Sequence, residues 1–324
     1  MARTGCTMAR SMLLARAGGD AMTRILGASV VVLALAAGAP ARELTSAYAV
    51  TAAANTPGRL GTDWHTDLTL YNPQQHAVPV VVHFLPSGQN NSGQVPTVTF
   101  EVRPWETLNL WDVLGPKGFN ARGKTGALLV YADENRITCT GTACHFAVFS
   151  RTYTLDPKGG RGEFGQAFPG VPAHLGLDRS VIAYLPQLTN NADFRTNLGV
   201  ASWTPAWVKV RVELQNSAGS VIQSKDHLVP PFGHIQWSLD RAVVGGTAAV
   251  FIVDGPADAM VYPYASVINN VYGDPVTVEA HYTSVGLSAQ SASAARAATG
   301  RPLPLADPVV GFDVSEFRRA TGRE

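Results

Sequence analysis

The sequence predicts an all-β protein built as two tandem antiparallel β-sandwiches, and three observations support this. The first is strict apolar–polar alternation, as in residues 208–215 and 97–102, which puts every second side chain on one face of a strand. The second is turn signals after strands, at 86–88 and 216–219, in a chain with 31 Gly and 21 Pro. The third is an internal repeat.

The repeat divides the body of the chain into two copies. The matching segments, first copy then second, are 63–68 with 193–198, 78–84 with 208–214, 102–105 with 229–232, and 126–133 with 247–254. Segments that recur in the same order indicate a tandem duplication. We therefore predict domain 1 over 43–172 and domain 2 over 180–283, each an antiparallel sandwich of short strands.

Some segments depart from simple alternation. Residues 78–85 and 127–131 are apolar on nearly both faces, as expected for central strands. The Ala/Ser-rich start of residues 284–324 predicts a flexible, disordered C-terminal tail. Within this tail, residues 313–319 are compatible with one or two helical turns that begin at Asp313 as the N-cap, or with no structure.

The N-terminus has the pattern of a secretion signal over residues 1–41. Arg24 precedes an almost wholly apolar run over 25–37, and Ala39-Pro-Ala41 provides a small-residue cleavage site. The apolar run is too short to span a bilayer, so no stable membrane insertion is expected. A more conventional signal starts at Met22, which suggests that translation begins there. The sequence thus predicts a secreted protein, extracellular or periplasmic.

Two of the three cysteines remain after removal of the signal. Cys139 and Cys144 are separated by four residues that include Gly141, which is typical of a hairpin tip. In an exported protein such a pair is expected to form a disulfide. The alternative is a metal site, for which His145 is the one obvious further ligand nearby.

Charge and motifs exclude several classes of function. Twenty-five Lys and Arg balance 24 Asp and Glu, which argues against nucleic-acid binding. The sequence lacks the His-Glu-x-x-His, Gly-x-Ser-x-Gly and phosphate-loop motifs. We therefore predict no catalytic residues, no cofactor and no metal.

One histidine group is a possible metal site. His65 and Asp67 share a strand face, and His83 lies on a neighbouring strand, but zinc needs three or four ligands. The second copy has Arg195, Asn197 and Glu213 at these three positions. An exposed polar row opposite the leucines of the same strand is the favoured interpretation.

The aromatic residues divide into matched and unmatched sets. The matched pairs, which we expect to be core or corner residues, are Trp64 with Phe194 and Trp105 with Phe232. Trp203 and Trp207 are unmatched and bracket a predicted turn of domain 2. Two neighbouring indoles on a loop are suited to stacking on sugars or gripping a protein, so these two are the candidate binding residues. The alternative is that they pack across the hairpin or into the interface at the linker.

A family resemblance rests on several segments. The block 66–73, TDLTLYNP, followed by a Val-rich strand and a Val-x-Pro turn, resembles bacterial secreted tandem immunoglobulin-like sandwich modules with an Asn-Pro turn. Residues 149–153 and 165–170 resemble the same family. The second copy departs from it at Ser202-Trp203, where the first has Asn72-Pro73. The resemblance implies export and an immunoglobulin-like fold, and no chemistry.

These observations favour a secreted, non-enzymatic binding or structural module of the cell envelope or extracellular space. Its expected partner is an extracellular protein or a glycan. Two alternatives remain: a carbohydrate-binding protein that uses the loop tryptophans, and an enzyme with an unrecognised site.

Overall fold

Strands dominate residues 44–160, 162–284 and 303–321, which are the residues that the computed structural model describes. The predicted signal region, 1–41, lies outside them. The prediction of an all-β chain with antiparallel sheets is confirmed. Among the described residues, the body of the chain has no helix beyond two 3₁₀ turns, at Arg59–Gly61 and Ala173–Leu175.

The N-terminal half forms two layers around one core. Its strands are β1 Ala47–Pro57, β2 Asp63–Tyr71, β3 Val78–Pro86, β4 Gln94–Val102, β5 Thr107–Leu110, β6 Lys124–Ala132, β7 Ala147–Leu155, β8 Glu163–Ala167 and β9 Val171–Pro172. Layer A has the order β4-β3-β6-β1, and layer B has the order β5-β2-β7-β8. β1 pairs with β6 on both sides of a register shift between Val50 and Ala53, and its last two residues, Thr56 and Pro57, pair with β2. The inward side chains of both layers, such as Val82 and Leu68, are fully buried in one cluster.

The C-terminal half repeats this arrangement. Its strands are β10 Val181–Asn190, β11 Phe194–Ser202, β12 Val208–Gln215, β13 Val221–Val229, β14 His234–Ser238, β15 Val243–Asp254, β16 Val261–Asn269, β17 Pro275–Glu279 and β18 His281–Ser284. Layer C has the order β13-β12-β15-β10-β18, and layer D has the order β14-β11-β16-β17. Layers C and D therefore follow the strand order of layers A and B, as the internal repeat predicts. The alternation in β12 buries Val208, Val210 and Val212.

The outer face of layer D packs on the outer face of layer A. A third apolar cluster joins them, with Leu85 and Leu129 from layer A and Phe232 and Tyr262 from the C-terminal half. Hydrogen bonds cross the same junction: the Tyr262 hydroxyl donates to the carbonyl of Ala173 at 2.7 Å. The apolar outer side of β3 and β6 is thus explained by the neighbouring half that covers it.

The predicted flexible tail is wrong for residues 303–321. Strand β19, Leu305–Pro308, pairs in parallel with β4, and helix α1 spans Val314–Thr321. Asp313 caps this helix, since its Oδ1 accepts from the Ser315 amide at 2.8 Å, as predicted. Phe317 is buried in the core of the N-terminal half. The Ala/Ser-rich composition of residues 284–300 does not extend to residues 303–321, whose phenylalanines anchor them to the core. Residues 285–302 lie outside the described part of the chain.

Cys139 and Cys144 lie at disulfide distance, with an S–S separation of 1.99 Å. The expected hairpin tip is wrong, because β6 pairs with β1 and β3 whereas β7 pairs with β2 and β8. The cysteines therefore lie in a connection between the two layers, and Cys144 is fully buried in the core. No helix within the described residues has the length and apolar character to span a membrane.

Removal of the disulfide is expected to lower the free energy of unfolding by about 2 kcal/mol, because so short a closed loop restricts the unfolded chain only modestly. Urea unfolding of the Cys139→Ser/Cys144→Ser variant, beside the oxidised parent, measures this. If peptide mapping finds the disulfide in the parent and the urea midpoint of the variant is nevertheless unchanged, the prediction is wrong.

Candidate binding surface

An exposed aromatic surface lies on the outer side of layer B. In β2, Leu68 and Leu70 point into the core, whereas Thr69 and Tyr71 alternate with them and point outward. We call the exposed rings on this side the aromatic face: Tyr71 (37% exposed), Trp105 (59%), Trp111 (47%) and Phe149 (47%). Several large exposed aromatic groups on one side of a sheet make this side a candidate interaction surface.

The strand register places Tyr71 and Phe149 on neighbouring strands of this side. Thr69 pairs with Phe149 on β7 and with Asn109 on β5. Neighbouring strands lie about 4.8 Å apart, so these three side chains form one row across the sheet. The Thr69 hydroxyl donates to Asn109 Oδ1 at 2.8 Å, which leaves short polar groups between the rings. Tyr71 lies one row further, and Trp111 directly follows β5.

A hydrogen-bonded polar cluster holds one end of this surface. His65 Nδ1 lies 3.1 Å from Asp112 Oδ2, and the Asn55 amide donates to Asp112 Oδ1 at 2.8 Å. Arg122 donates to both oxygens of Asp63 at 2.7 and 2.9 Å, and this pairing lowers the pKa of the Asp63 carboxyl. These groups satisfy one another and fix the turn that carries Trp111.

The expected exposed polar row is wrong for two of its three members. Asp67 is buried, and its Oδ1 accepts from the Asp112 amide at 2.8 Å. Burial raises the pKa of the Asp67 carboxyl. His83 is buried on layer A, away from the other two, because its ring bonds to hydroxyls of that sheet. No group of His, Cys, Asp and Glu within the described ranges is placed to hold a metal ion.

The structure does not place Trp203 beside Trp207 on an exposed loop. The Trp203 side chain is only 2% exposed, because it directly follows β11 and packs in the junction between the halves. Its ring centroid lies 6.5 Å from that of Tyr131 on layer A. Trp203 thus packs at the interface between the halves, which is the alternative that the sequence left open. Trp207 is 49% exposed, and its binding role stays a prediction.

The aromatic face has a counterpart in the C-terminal half that is buried. In the pairing of β2 with β7, Thr69 lies opposite Phe149. At the equivalent place in the pairing of β11 with β16, Gly199 lies opposite Tyr264. Tyr264 is only 2% exposed. The same side of the repeat therefore packs against protein in one half and is exposed in the other.

The matched pair Trp105 and Phe232 differs in the same way. Both residues precede the short strand of their layer in a left-handed turn, with φ of 60° and 43°. Phe232 is 2% exposed in the junction, whereas Trp105 is 59% exposed. Trp105 is therefore not a core residue but lies exposed in its turn, whereas Phe232 is buried at the junction. The sequence does contain a signal for this face, because Tyr71 and Phe149 occupy strand positions whose side chains point outward.

Comparison with protein-family models and with curated proteins gives no match. Among solved structures, a similar one is Bacteroides uniformis β-glucuronidase 2, covalently bound to cyclophellitol-6-carboxylate aziridine. The identity is 10% and the TM-score is 0.14, over 69% of this chain and 26% of that one. The chain thus spans about a quarter of the glucuronidase's length. A likeness this low carries no argument about fold or activity.

Proposed function

We propose that the chain is an exported, non-enzymatic binding module of two tandem immunoglobulin-like β-sandwiches, which docks an extracellular protein on its aromatic face. The strand order of layers A–B and C–D supports the tandem organisation. Export is supported by the N-terminal signal pattern and by the cysteine pair at disulfide distance, since disulfides persist in oxidising compartments.

The observation that carries the binding role is the comparison of the two halves. Layer D uses its outer aromatic rings to pack on the N-terminal half: Phe232 and Tyr262 lie in the junction cluster, and Tyr264 packs edge-on against Phe168. Layer B presents Trp105 and Phe149 at the equivalent places, exposed to solvent. Exposed aromatic rings of this size are frequent hot spots of protein interfaces, because they bury a large area at little entropic cost.

The same comparison indicates the chemistry of the partner. The surface that receives layer D consists mainly of small and aliphatic side chains of layer A, with Ala49, Leu85, Ala127 and Leu129 among them. We infer a partner with a similar uncharged, apolar sheet face. A second copy of this chain does not offer the layer A surface, because layer D packs on it, and the corresponding outer side of β12 carries Lys209, Arg211 and Glu213.

The test combines cross-linking with substitution of the face. A photo-reactive residue in place of Asn109 is expected to cross-link one protein in the envelope of the native host, identified by mass spectrometry. Trp105→Ala/Phe149→Ala should reduce this product at least tenfold, since loss of such anchors costs about 2 kcal/mol or more. Tyr272→Ala, an exposed aromatic residue outside the face, serves as the matched control.

Three results would overturn the proposal. They are cross-links to the chain's own copies, cross-links that survive the double substitution, and a glycan-array signal that depends on Trp105 and Phe149. The last would assign the face to carbohydrate instead of protein.

A further inference from the structure

The C-terminal segment, residues 303–321, packs beside the strand that carries two rings of the aromatic face. Trp105 and Trp111 lie just before and just after β5. Among the described strands β5 pairs only with β2, and α1 packs against it. Phe317 of α1 is buried in the same cluster as both leucines of β5. The helix therefore supports the short strand that lies between the two tryptophans.

The segment holds the turn of Trp105 through a partly buried ion pair. Arg318 donates to both carboxylate oxygens of Glu106, from Nε at 2.6 Å and from Nη2 at 2.9 Å. These side chains are 19% and 16% exposed, so solvent screens the pair less than it screens a surface pair. Glu106 Oε2 also accepts from the Arg103 amide at 2.7 Å, which closes the turn across Trp105. Asn72 secures only the start of the turn, since its Nδ2 donates to the Arg103 carbonyl at 2.9 Å. Arg318 therefore orients the carboxylate that closes the turn.

Further contacts reach the loop that begins at Trp111. The Phe312 ring lies edge-on against Phe119, with the ring centroids 5.7 Å apart. Lys117 Nζ lies 3.6 Å from Glu316 Oε2, and this exposed pair contributes little to the contact. The C-terminal segment thus packs against the connections at both ends of β5.

The C-terminal half holds the equivalent turn in another way. Gly233 follows Phe232 as Glu106 follows Trp105, and glycine offers no carboxylate. The Phe232 ring is held by burial in the junction instead. Trp105 has φ of 60°, a conformation that residues other than glycine adopt at a cost, and its ring is exposed. Contact with the C-terminal segment therefore takes the place of burial in fixing this turn.

The segment is suited to detach without unfolding of the sandwich. It consists of a four-residue strand and an eight-residue helix at the edge of the N-terminal half. Phe317 is buried in the core, whereas Phe312 and Val314 pack there while partly exposed. A cavity of about 450 Å³ remains between the segment and β4, with Phe100 among its lining residues. Elements with few buried contacts open at a lower free energy than the core.

We propose that the C-terminal segment positions Trp105 and Trp111 for docking, so that its attachment regulates the aromatic face. The consequence for binding rests on the proposed function, whereas the positioning does not. While the segment is docked, both tryptophans are preorganised and a partner need not order them. When it detaches, both lose this support, whereas Tyr71 and Phe149 keep theirs within β2 and β7.

The test compares Arg318→Gln with Arg319→Gln in the whole chain labelled with 5-fluorotryptophan. Arg319 is the matched control, because its contacts in the described part of the chain are with its own segment. We expect Arg318→Gln to shift or broaden the fluorine resonance of Trp105. It should also speed hydrogen exchange of the Arg103 and Glu106 amides about tenfold, since the turn opens more often. Arg319→Gln should leave both measurements unchanged.

Two further variants show whether the effect passes through the ion pair. Arg318→Lys keeps the charge but cannot contact both oxygens in the same way, so its effect should be smaller. Glu106→Gln should reproduce the effect of Arg318→Gln. The double variant should change the turn no more than either single one, since both remove the same pair.

The cross-linking experiment measures the consequence for docking. With the photo-reactive residue in place of Asn109, Arg318→Gln should lower the yield about three- to tenfold, because the partner must then order the tryptophans. A parent that gives no cross-link would overturn the proposed function, and the fluorine and exchange measurements would still decide the positioning. The proposal is overturned if Arg318→Gln leaves the Trp105 resonance and the amide exchange unchanged, or if Arg319→Gln has the same effect. A cross-link yield that stays unchanged in Arg318→Gln would also overturn it.

Discussion

Acidification from pH 7 to pH 5 is expected to lower the free energy of unfolding by about 4 kcal/mol through two buried histidines. His83 and His234 are each 1% exposed, and burial lowers the pKa of each from 6.5 to about 4. Their hydrogen-bond partners within the described part of the chain are all hydroxyls: Thr97 and Tyr131 for His83, and Ser87 and Tyr264 for His234. No carboxylate among these partners stabilises the imidazolium.

The sign follows from proton uptake. Below pH 6.5 the unfolded chain binds a proton at each histidine, whereas the folded chain does not until about pH 4. Stability is therefore complete above pH 6.5 and falls as the pH drops toward 4. One pKa unit is worth about 1.4 kcal/mol, so each histidine accounts for about 2 kcal/mol at pH 5.

Urea unfolding at pH 7, 6 and 5 measures this effect. His83→Gln and His234→Gln each remove one titrating group, so each should halve the loss of stability between pH 7 and pH 5. The comparison is made within each variant, because both substitutions also change packing at pH 7. An unchanged pH dependence in the double variant would show that carboxylates, and not these histidines, cause the acid sensitivity.

The matched substitutions Phe232→Ala and Trp105→Ala are expected to have very different effects on stability. Phe232 is buried between the halves, and removal of a buried phenylalanine ring costs about 3–5 kcal/mol because the cavity only partly collapses. Trp105 occupies the equivalent turn but is 59% exposed, so its replacement should change stability by at most about 0.5 kcal/mol.

Chemical denaturation of both variants tests this difference. Phe232→Ala should weaken the junction between the halves. The two halves should therefore unfold in two separate transitions instead of one. Equal costs for the two substitutions would mean that Trp105 is packed in solution. The aromatic face would then not be free to bind a partner.

Local sequence patterns were sufficient for the strands and for several contacts. The alternation of residues 208–215 predicts β12 and its buried valines, because the side-chain period of a strand is two whatever the surroundings. The Asp313 cap and the Cys139–Cys144 pair depend on residues close in the chain, so spacing predicts them too. The repeat likewise anticipated that both halves have the same strand order.

Tertiary packing decided which faces are exposed. The same turn position holds a large ring in both copies, and nothing local distinguishes buried Phe232 from exposed Trp105. Trp203 and Phe317 lie in a predicted loop and a predicted flexible tail, yet both are buried by segments remote in sequence. Periodicity predicts that a residue points outward from its own sheet. Whether another layer covers that residue depends on the packing of segments remote in sequence, which a local pattern does not determine.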